Sequence, residues 1–270
     1  MPASFLDTTI LINATSEDEV RRRLARNAIA NFQPSSTPAY AIRELLAGYI
    51  RIACEAHNRI LAAKDIGEAL LNLLSASPFE GRKKEARARM LGSALSRAIQ
   101  QNPEMNRTSL KGEIADDIAL TTARVWKNAR TLNGVSIVQP LACFVVGPLK
   151  AGVSGELRGP NDSFNCTPTV RCSAAGYLYD DQAALSKMCE ALHPSKTSRE
   201  LEEKRETKQR RKALKLLQHS GQKNFNKRLC RSLGDAYFVG MCPPSHTLLS
   251  TNTIDFRPLC IALDKKLAQP

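Results

Sequence analysis

The residues best suited to chemistry in this chain are four carboxylates placed where strands and helices should begin or end: Asp7, Glu44, Asp235 and Asp255. Asp7 interrupts Phe5-Leu-Asp-Thr-Thr-Ile-Leu-Ile12, a run that otherwise reads as a short buried strand covered by helices on both faces. A carboxylate there must be hydrogen-bonded, paired or metal-bound, since an isolated one would raise its pKa until it took up a proton. The alternative is that Asp7 sits at the exposed start of the strand or caps a turn. Glu44 falls in the first turn of the helix expected over 42–63, where the helix dipole favours a Glu without any function. Asp235 starts the apolar turn Leu233-Gly-Asp-Ala-Tyr-Phe-Val239, and Asp255 ends Thr247-Leu-Leu-Ser-Thr-Asn-Thr-Ile-Asp-Phe256, a short strand running into a polar turn with Asn252. Each is weak alone. Brought within about 4–5 Å, such carboxylates would repel by roughly 1 kcal/mol per pair even in water-like dielectric, so they would hold protons or need a cation.

No side-chain nucleophile competes with that chemistry. The four histidines, His57, His193, His219 and His246, are scattered and form no Cys-His or Ser-His spacing. Among the eight cysteines, Cys143, Cys166, Cys172 and Cys189 flank a loop, but their spacing matches zinc sites poorly, which favours buried thiols over a thiolate-bound metal. Phe5 to Ile12 lacks a basic segment before it and is no signal peptide, so reduced thiols and a cytoplasmic location are expected.

The 270 residues, 43% hydrophobic and 24% charged, suffice for one large or two modest cores. The longest apolar stretch, Val135 to Val146, contains Gln139 and Pro140 and is too short to span a bilayer, so no membrane is implied. The net charge of +13 points to a polyanionic partner, nucleic acid first and an acidic protein second. Aromatics at 5% exclude a surface built mainly on base stacking, which leaves electrostatic binding.

The elements that must position these residues follow from periodicity and punctuation. Ser16 and Glu19 have capping-box spacing ahead of a helix to about Asn31. The prolines of Gln33-Pro-Ser-Ser-Thr-Pro38 mark a loop leading into a short strand. Helices are expected over 42–63, 65–75, 80–101 and 112–132, with Asp116 and Asp117 on a solvated face, then a strand over 135–146 that Pro140 assigns to an edge or bulge. A Gly- and Pro-rich loop covers 147–172, and a helix over 197–220 follows, capped by Thr197 and Glu200. From Lys204 to Arg231 eleven basic residues face Glu206 alone, more than solubility requires. Lys208, Arg210, Arg211, Lys212, Lys215, Lys227 and Arg228 are the expected phosphate contacts.

A strand-end Asp, a helix-opening Glu, a late Gly-Asp-Ala helix start and the Leu-Leu-Ser-Thr-Asn-Thr-Ile-Asp-Phe segment together resemble the PIN-domain nucleases. The resemblance implies a three-layer α/β/α fold with a central, mainly parallel sheet in which the Asp7 strand is central. It implies one Mg2+ or Mn2+ bound by Asp7, Glu44, Asp235 and Asp255, with Thr9, Thr251 and Asn252 in support, and hydrolysis of RNA. Asn252 departs from the usual inner acidic position, which Asp255 would supplement. The chain is longer than the ribonuclease toxins of bacterial toxin–antitoxin pairs, so the expected division is a nuclease part over 1–80 and 196–270 around a mostly helical insertion over 81–195. A toxin, an RNA-processing or a defence nuclease, an inhibitory protein partner, a homodimer and a catalytically silent RNA-binding or scaffolding relative all fit that resemblance. Hard oxygen ligands select Mg2+ or Mn2+ over zinc, in agreement with it.

Overall fold

Asp7 does not interrupt a strand; it ends one. Strand β1 (Ala3–Leu6) stops at Leu6, Asp7 adopts an extended backbone with φ −77° and ψ 160°, and helix α1 (Thr8–Ala14) follows. The apolar run expected as one strand contains a helical period, because Thr8, Ile10, Leu11 and Ala14 are buried while Thr9, Ile12 and Asn13 are half-buried. The computed structural model describes residues 3–16, 18–74, 81–130, 135–138, 149–159, 172–192, 205–221 and 227–270, without the side chains at 47, 74, 81–86, 129–130, 205–206 and 227–228.

After α1 come α2 (Glu19–Asn31), β2 (Ser35–Pro38) and α3 (Ala39–Leu45), which continues through a π-helical turn, Leu46–Ile50, into α4 (Arg51–Ala62). Next are α5 (Ile66–Leu74), α6 (Gly81–Gln101), α7 (Arg107–Arg130), β3 (Val135–Val138) and the short hairpin β4 (Lys150–Ala151) and β5 (Leu157–Arg158). The chain ends with α8 (Ser173–Asp180), α9 (Gln182–Ala191), α10 (Arg205–Ser220), α11 (Lys227–Ser232), α12 (Gly234–Met241), β6 (His246–Leu249), α13 (Thr253–Ala262) and β7 (Lys266–Ala268). Asp18, not Ser16, caps α2 by accepting from the Arg21 amide at 3.1 Å. The strand expected after the Pro34–Pro38 segment lies within it, as β2. Helix α3 begins at Ala39, so Glu44 sits one turn later than expected.

The chain divides into two compact units: Met1–Ile42 with Leu132–Val145 and Ser163–Pro270, and Arg43–Thr131 with Val146–Asp162. That division differs from an insertion over 81–195, since the second unit begins at Arg43, and α8 and α9 belong to the first.

The first unit is α/β, built on a five-stranded sheet of order β3-β2-β1-β6-β7 in which every described pairing is parallel. Strand β1 is central, as the Phe5-Leu6 pattern implies, and β3 lies at an edge. The hydroxyl-rich β2 tolerates burial because its polar groups are satisfied: Thr37 Oγ1 donates to the Leu6 carbonyl at 2.9 Å and Ser35 Oγ to the Phe32 carbonyl at 2.8 Å. An aromatic cluster anchors the late helices. Tyr40 lies 5.4 Å from Tyr237 and 5.8 Å from Phe238 between ring centroids, and Phe238 meets Phe256 edge-to-face at 6.0 Å. These contacts hold α12 and α13, the helices that carry Asp235 and Asp255.

The second unit packs α4, α5, α6 and α7 around Ala53, Ala56, Ile60, Leu73, Leu91, Ala94, Ile114 and Ile118, where small Ala faces let helices approach closely. Asp117, expected on a solvated face, instead accepts both Arg97 Nε at 2.9 Å and Arg97 Nη2 at 2.5 Å. Asn58 ties the β4–β5 hairpin to α4: its Nδ2 donates to the Leu157 carbonyl at 2.9 Å and its Oδ1 accepts the Leu157 amide at 2.7 Å. Replacing Asn58 with Ala leaves both groups of buried Leu157 unpaired, an expected loss of about 1–3 kcal/mol, read as earlier proteolysis of the hairpin and a lower Tm. Among the described residues, no helix is long and apolar enough to cross a membrane.

Candidate functional site

The site begins where β1 and β6 end side by side. The Asp7 amide donates to the Leu249 carbonyl at 3.0 Å, which brings Ser250 to Asp7 directly after the buried Leu248 and Leu249. In open parallel sheets the carboxyl ends of strands are the usual place for ligands.

Asp7 is 4% exposed. Thr9 Oγ1 and Ser250 Oγ both donate to its Oδ2, each at 2.7 Å. Burial pushes the carboxyl above its ordinary range, outweighing these hydroxyls and the nearby Thr8 and Thr9 amides, which favour the ionised form. No basic side chain among the described residues contributes. Asp7 is thus a desolvated carboxyl group that, among the described residues, is met by hydroxyls and amides.

From Asp7 a hydrogen-bonded chain runs across the sheet end. Ser250 Oγ accepts the Asn252 amide at 2.9 Å, and Asn252 Nδ2 donates to Asp255 Oδ2 at 2.8 Å in the first turn of α13. Thr9 Oγ1 also accepts the Thr251 amide at 3.1 Å. Thr9 and Asn252 support the cluster through their side chains, whereas Thr251 reaches Thr9 through its backbone. Ser250 is the partner of Asp7 that the sequence did not single out; its signal was the Leu-Leu-Ser-Thr-Asn run itself.

Asp235, in the first turn of α12, is brought into the same region by Arg210. The Arg210 guanidinium forms a close ion pair with Asp235 Oδ2 through Nη2 and donates to the Asp255 main-chain carbonyl through Nη1 at 3.3 Å. Arg210 is 6% exposed, so it is an internal cation and not the expected phosphate contact. The physical reason lies in its helix: Arg210, Ala213, Leu214 and Leu217 recur at i, i+3, i+4 and i+7 and are all buried, which turns Arg210 inward. Glu44 is half-buried near the end of α3 and belongs to the second unit, so the first unit brings together three of the four expected carboxylates by hydrogen bonding.

Among the described residues no three Asp, Glu, His or Cys side chains stand close enough to hold a metal ion. The hard-oxygen donors present are the Asp7 and Asp255 carboxylates at the two ends of the hydrogen-bonded chain, with the Thr9 and Ser250 hydroxyls between them. Cys172 and Cys189 are buried, and burial pushes the Cys189 thiol up, away from the thiolate a metal needs; Cys143 and Cys166 lie outside the described residues.

The outward face of α10 is basic. Lys208 and Lys212 are exposed and Lys215 is half-buried, while half-buried Arg211 donates to the Leu192 carbonyl at 3.5 Å. The side chains of Lys227 and Arg228 lie outside the described part. Comparison of the chain with family models, with curated proteins and with solved structures returns no match, so the geometry of this site is what speaks for its chemistry.

Proposed function

We propose that this protein is a PIN-like endoribonuclease of three-layer α/β/α architecture that hydrolyses RNA phosphodiester bonds with the help of Mg2+ or Mn2+. One observation carries the proposal: a buried, uncompensated carboxylate, Asp7, stands at the carboxyl end of the central parallel strand and is joined through Ser250 and Asn252 to Asp255. Asp7 and Asp255 would hold the ion, which when bound offsets charge developing on the phosphorus centre and acidifies water in its shell. Thr9 and Ser250 fix the Asp7 carboxylate in one orientation, and Asn252 does the same for Asp255. Lys208, Lys212 and Lys215 on α10 would bind the phosphate backbone. A role as a toxin or as an RNA-processing nuclease is compatible with this chemistry.

The test is cleavage of labelled RNA by the purified protein, expected to require Mg2+ or Mn2+ and to stop on chelation. Binding should carry the signature of the basic face. For single strands each phosphate contact contributes about 0.7 to the logarithmic salt slope, so changing Lys208, Lys212 and Lys215 to Gln should flatten it by roughly 2. An unchanged slope assigns those lysines to solvation alone.

The second reading, a catalytically silent RNA-binding protein of the same architecture, is favoured by the ion pair that engages Asp235 and by Asn252 at the inner acidic position. Salt-sensitive RNA binding without cleavage at any Mg2+ or Mn2+ concentration would select it.

A further inference from the structure

We infer that the groove where α8, α9, α12 and α13 meet receives one nucleotide of a single RNA strand, its base on the apolar floor and its phosphate at Lys187 and Lys265. This rests on the proposed RNA substrate and adds a binding position to it that uses none of the clustered carboxylates.

The groove encloses about 250 Å3, just below the roughly 300–1,000 Å3 of pockets that bury drug-sized ligands, so it suits one ring system and not a run of them. Its floor is apolar: Leu178 and Met188 are buried and Leu263 is half-buried. One wall is aromatic. Tyr177 is held at both ends, its hydroxyl donating to the Gly240 carbonyl at 3.2 Å and its ring meeting Tyr237 edge-to-face at 5.5 Å between centroids. A ring fixed in this way is a stacking partner for any base.

The rim is charged. The Lys265 ammonium is placed by donating to the Cys242 carbonyl at 2.8 Å, and Lys187 is exposed on α9. Two ammoniums above an apolar floor select a ligand that is anionic at one end and flat and apolar at the other. Asp181, at the same rim, is fixed by accepting the Ala184 amide at 2.9 Å. It disfavours a ligand that is anionic throughout and favours one that brings an N–H donor, as the edge of a base does. Helix α9 also links the groove to the basic face of α10. Its Ala184, Lys187 and Met188 line the groove, while Cys189 and Leu192 turn to α10, where the Lys215 ammonium acts on the Cys189 thiol and Arg211 donates to the Leu192 carbonyl. A strand lying along α10 therefore has only the width of one helix, about 10 Å, to cross before it reaches Lys187.

Titration calorimetry of the purified full-length protein with uridine 5′-monophosphate, uridine and inorganic phosphate, and anisotropy with a labelled oligouridylate, both without divalent ions, test this apart from cleavage. The monophosphate should bind at least about tenfold more tightly than uridine or phosphate, because both of its ends are recognised. Ala183→Trp, at an exposed position of α9 beside the groove, should fill it and lower monophosphate affinity about tenfold or more with the Tm unchanged. Lys187→Gln should weaken the monophosphate and its salt dependence while leaving uridine alone. Tyr177→Leu should weaken both about tenfold, and Tyr177→Phe, which keeps the ring, should stay near the wild type. Ala183→Trp decides the matter if the Leu variant does not fold. A monophosphate bound no more tightly than phosphate, or indifferent to Ala183→Trp, overturns the inference, as does tighter binding of L-leucine, which would give the groove to a free amino acid. Oligouridylate binding indifferent to Ala183→Trp removes the groove from the strand's path and leaves the basic face of α10 standing. Absence of both oligouridylate and monophosphate binding removes the RNA reading with it.

Discussion

Asp7→Asn is expected to lower RNA cleavage by about a hundredfold or more while making the protein more stable at neutral pH. The two effects have one origin. Both hydroxyl donors, Thr9 and Ser250, converge on Oδ2, so a single amide oxygen can accept both, while the Thr8 and Thr9 amides, which also favour the carboxylate, offset part of the gain. What disappears is a buried carboxyl group that burial makes costly to ionise. The folded pKa of Asp7 lies above its ordinary value of 3.8, so the native state holds that proton more tightly than the unfolded chain. The resulting stabilisation is complete below about 3.8 and is lost as pH rises through the raised folded value. The Asn variant does not titrate. Its Tm should therefore match that of the wild type in acid and exceed it at pH 7, by roughly 2–4 °C if the charge costs about 1 kcal/mol. Mn2+ should raise the Tm of the wild type more than that of the variant, because a ligand stabilises only the state that binds it. An Asn variant that is less stable at every pH, or that keeps cation-independent cleavage, removes Asp7 from the proposed site.

Asp235→Ala is expected to destabilise the first unit strongly, whatever the protein's activity. Removing one partner of a buried pair leaves the other charge uncompensated, at a cost of about 3–5 kcal/mol in well-buried cases. Partial exposure of Asp235 argues for the lower end, about 3 kcal/mol or a Tm loss of roughly 6–12 °C. Replacing both members with apolar residues of similar size, Arg210→Met with Asp235→Leu, should recover much of that loss, since an ion pair taken from water returns little net energy. Chemical denaturation of the single and double variants measures the difference. A loss below about 0.5 kcal/mol in Asp235→Ala would mean that the guanidinium is hydrated and the pair superficial.

The composition and local patterns carried the α/β class of the first unit and the central place of the Asp7 strand. A buried Phe-Leu pair before a polar turn can be satisfied only by neighbours on both sides, and helical periodicity over 42–63, 80–101 and 112–132 is a local property of the chain. Element ends were less legible. The Thr8–Ala14 helix was hidden because a short apolar run satisfies strand and helix periods alike, and β2 because its Ser-Ser-Thr composition carries no hydrophobic signal, its burial being permitted by hydroxyl bonds to other segments.

The same division holds at the site. The sequence alone placed Asp7, Asp235 and Asp255 at element ends, because each stands beside an abrupt change of local pattern, whereas Thr9 and Asn252 entered as their support only through the resemblance to a family. Only the tertiary structure decided that Ser250 bonds Asp7 across 243 residues and that Arg210 turns inward to Asp235. The buried stripe Arg210, Ala213, Leu214 and Leu217 was present in the letters, but net charge masked it. A run of cations reads as a solvated face until a carboxylate, brought by another helix, makes burial of one of them favourable.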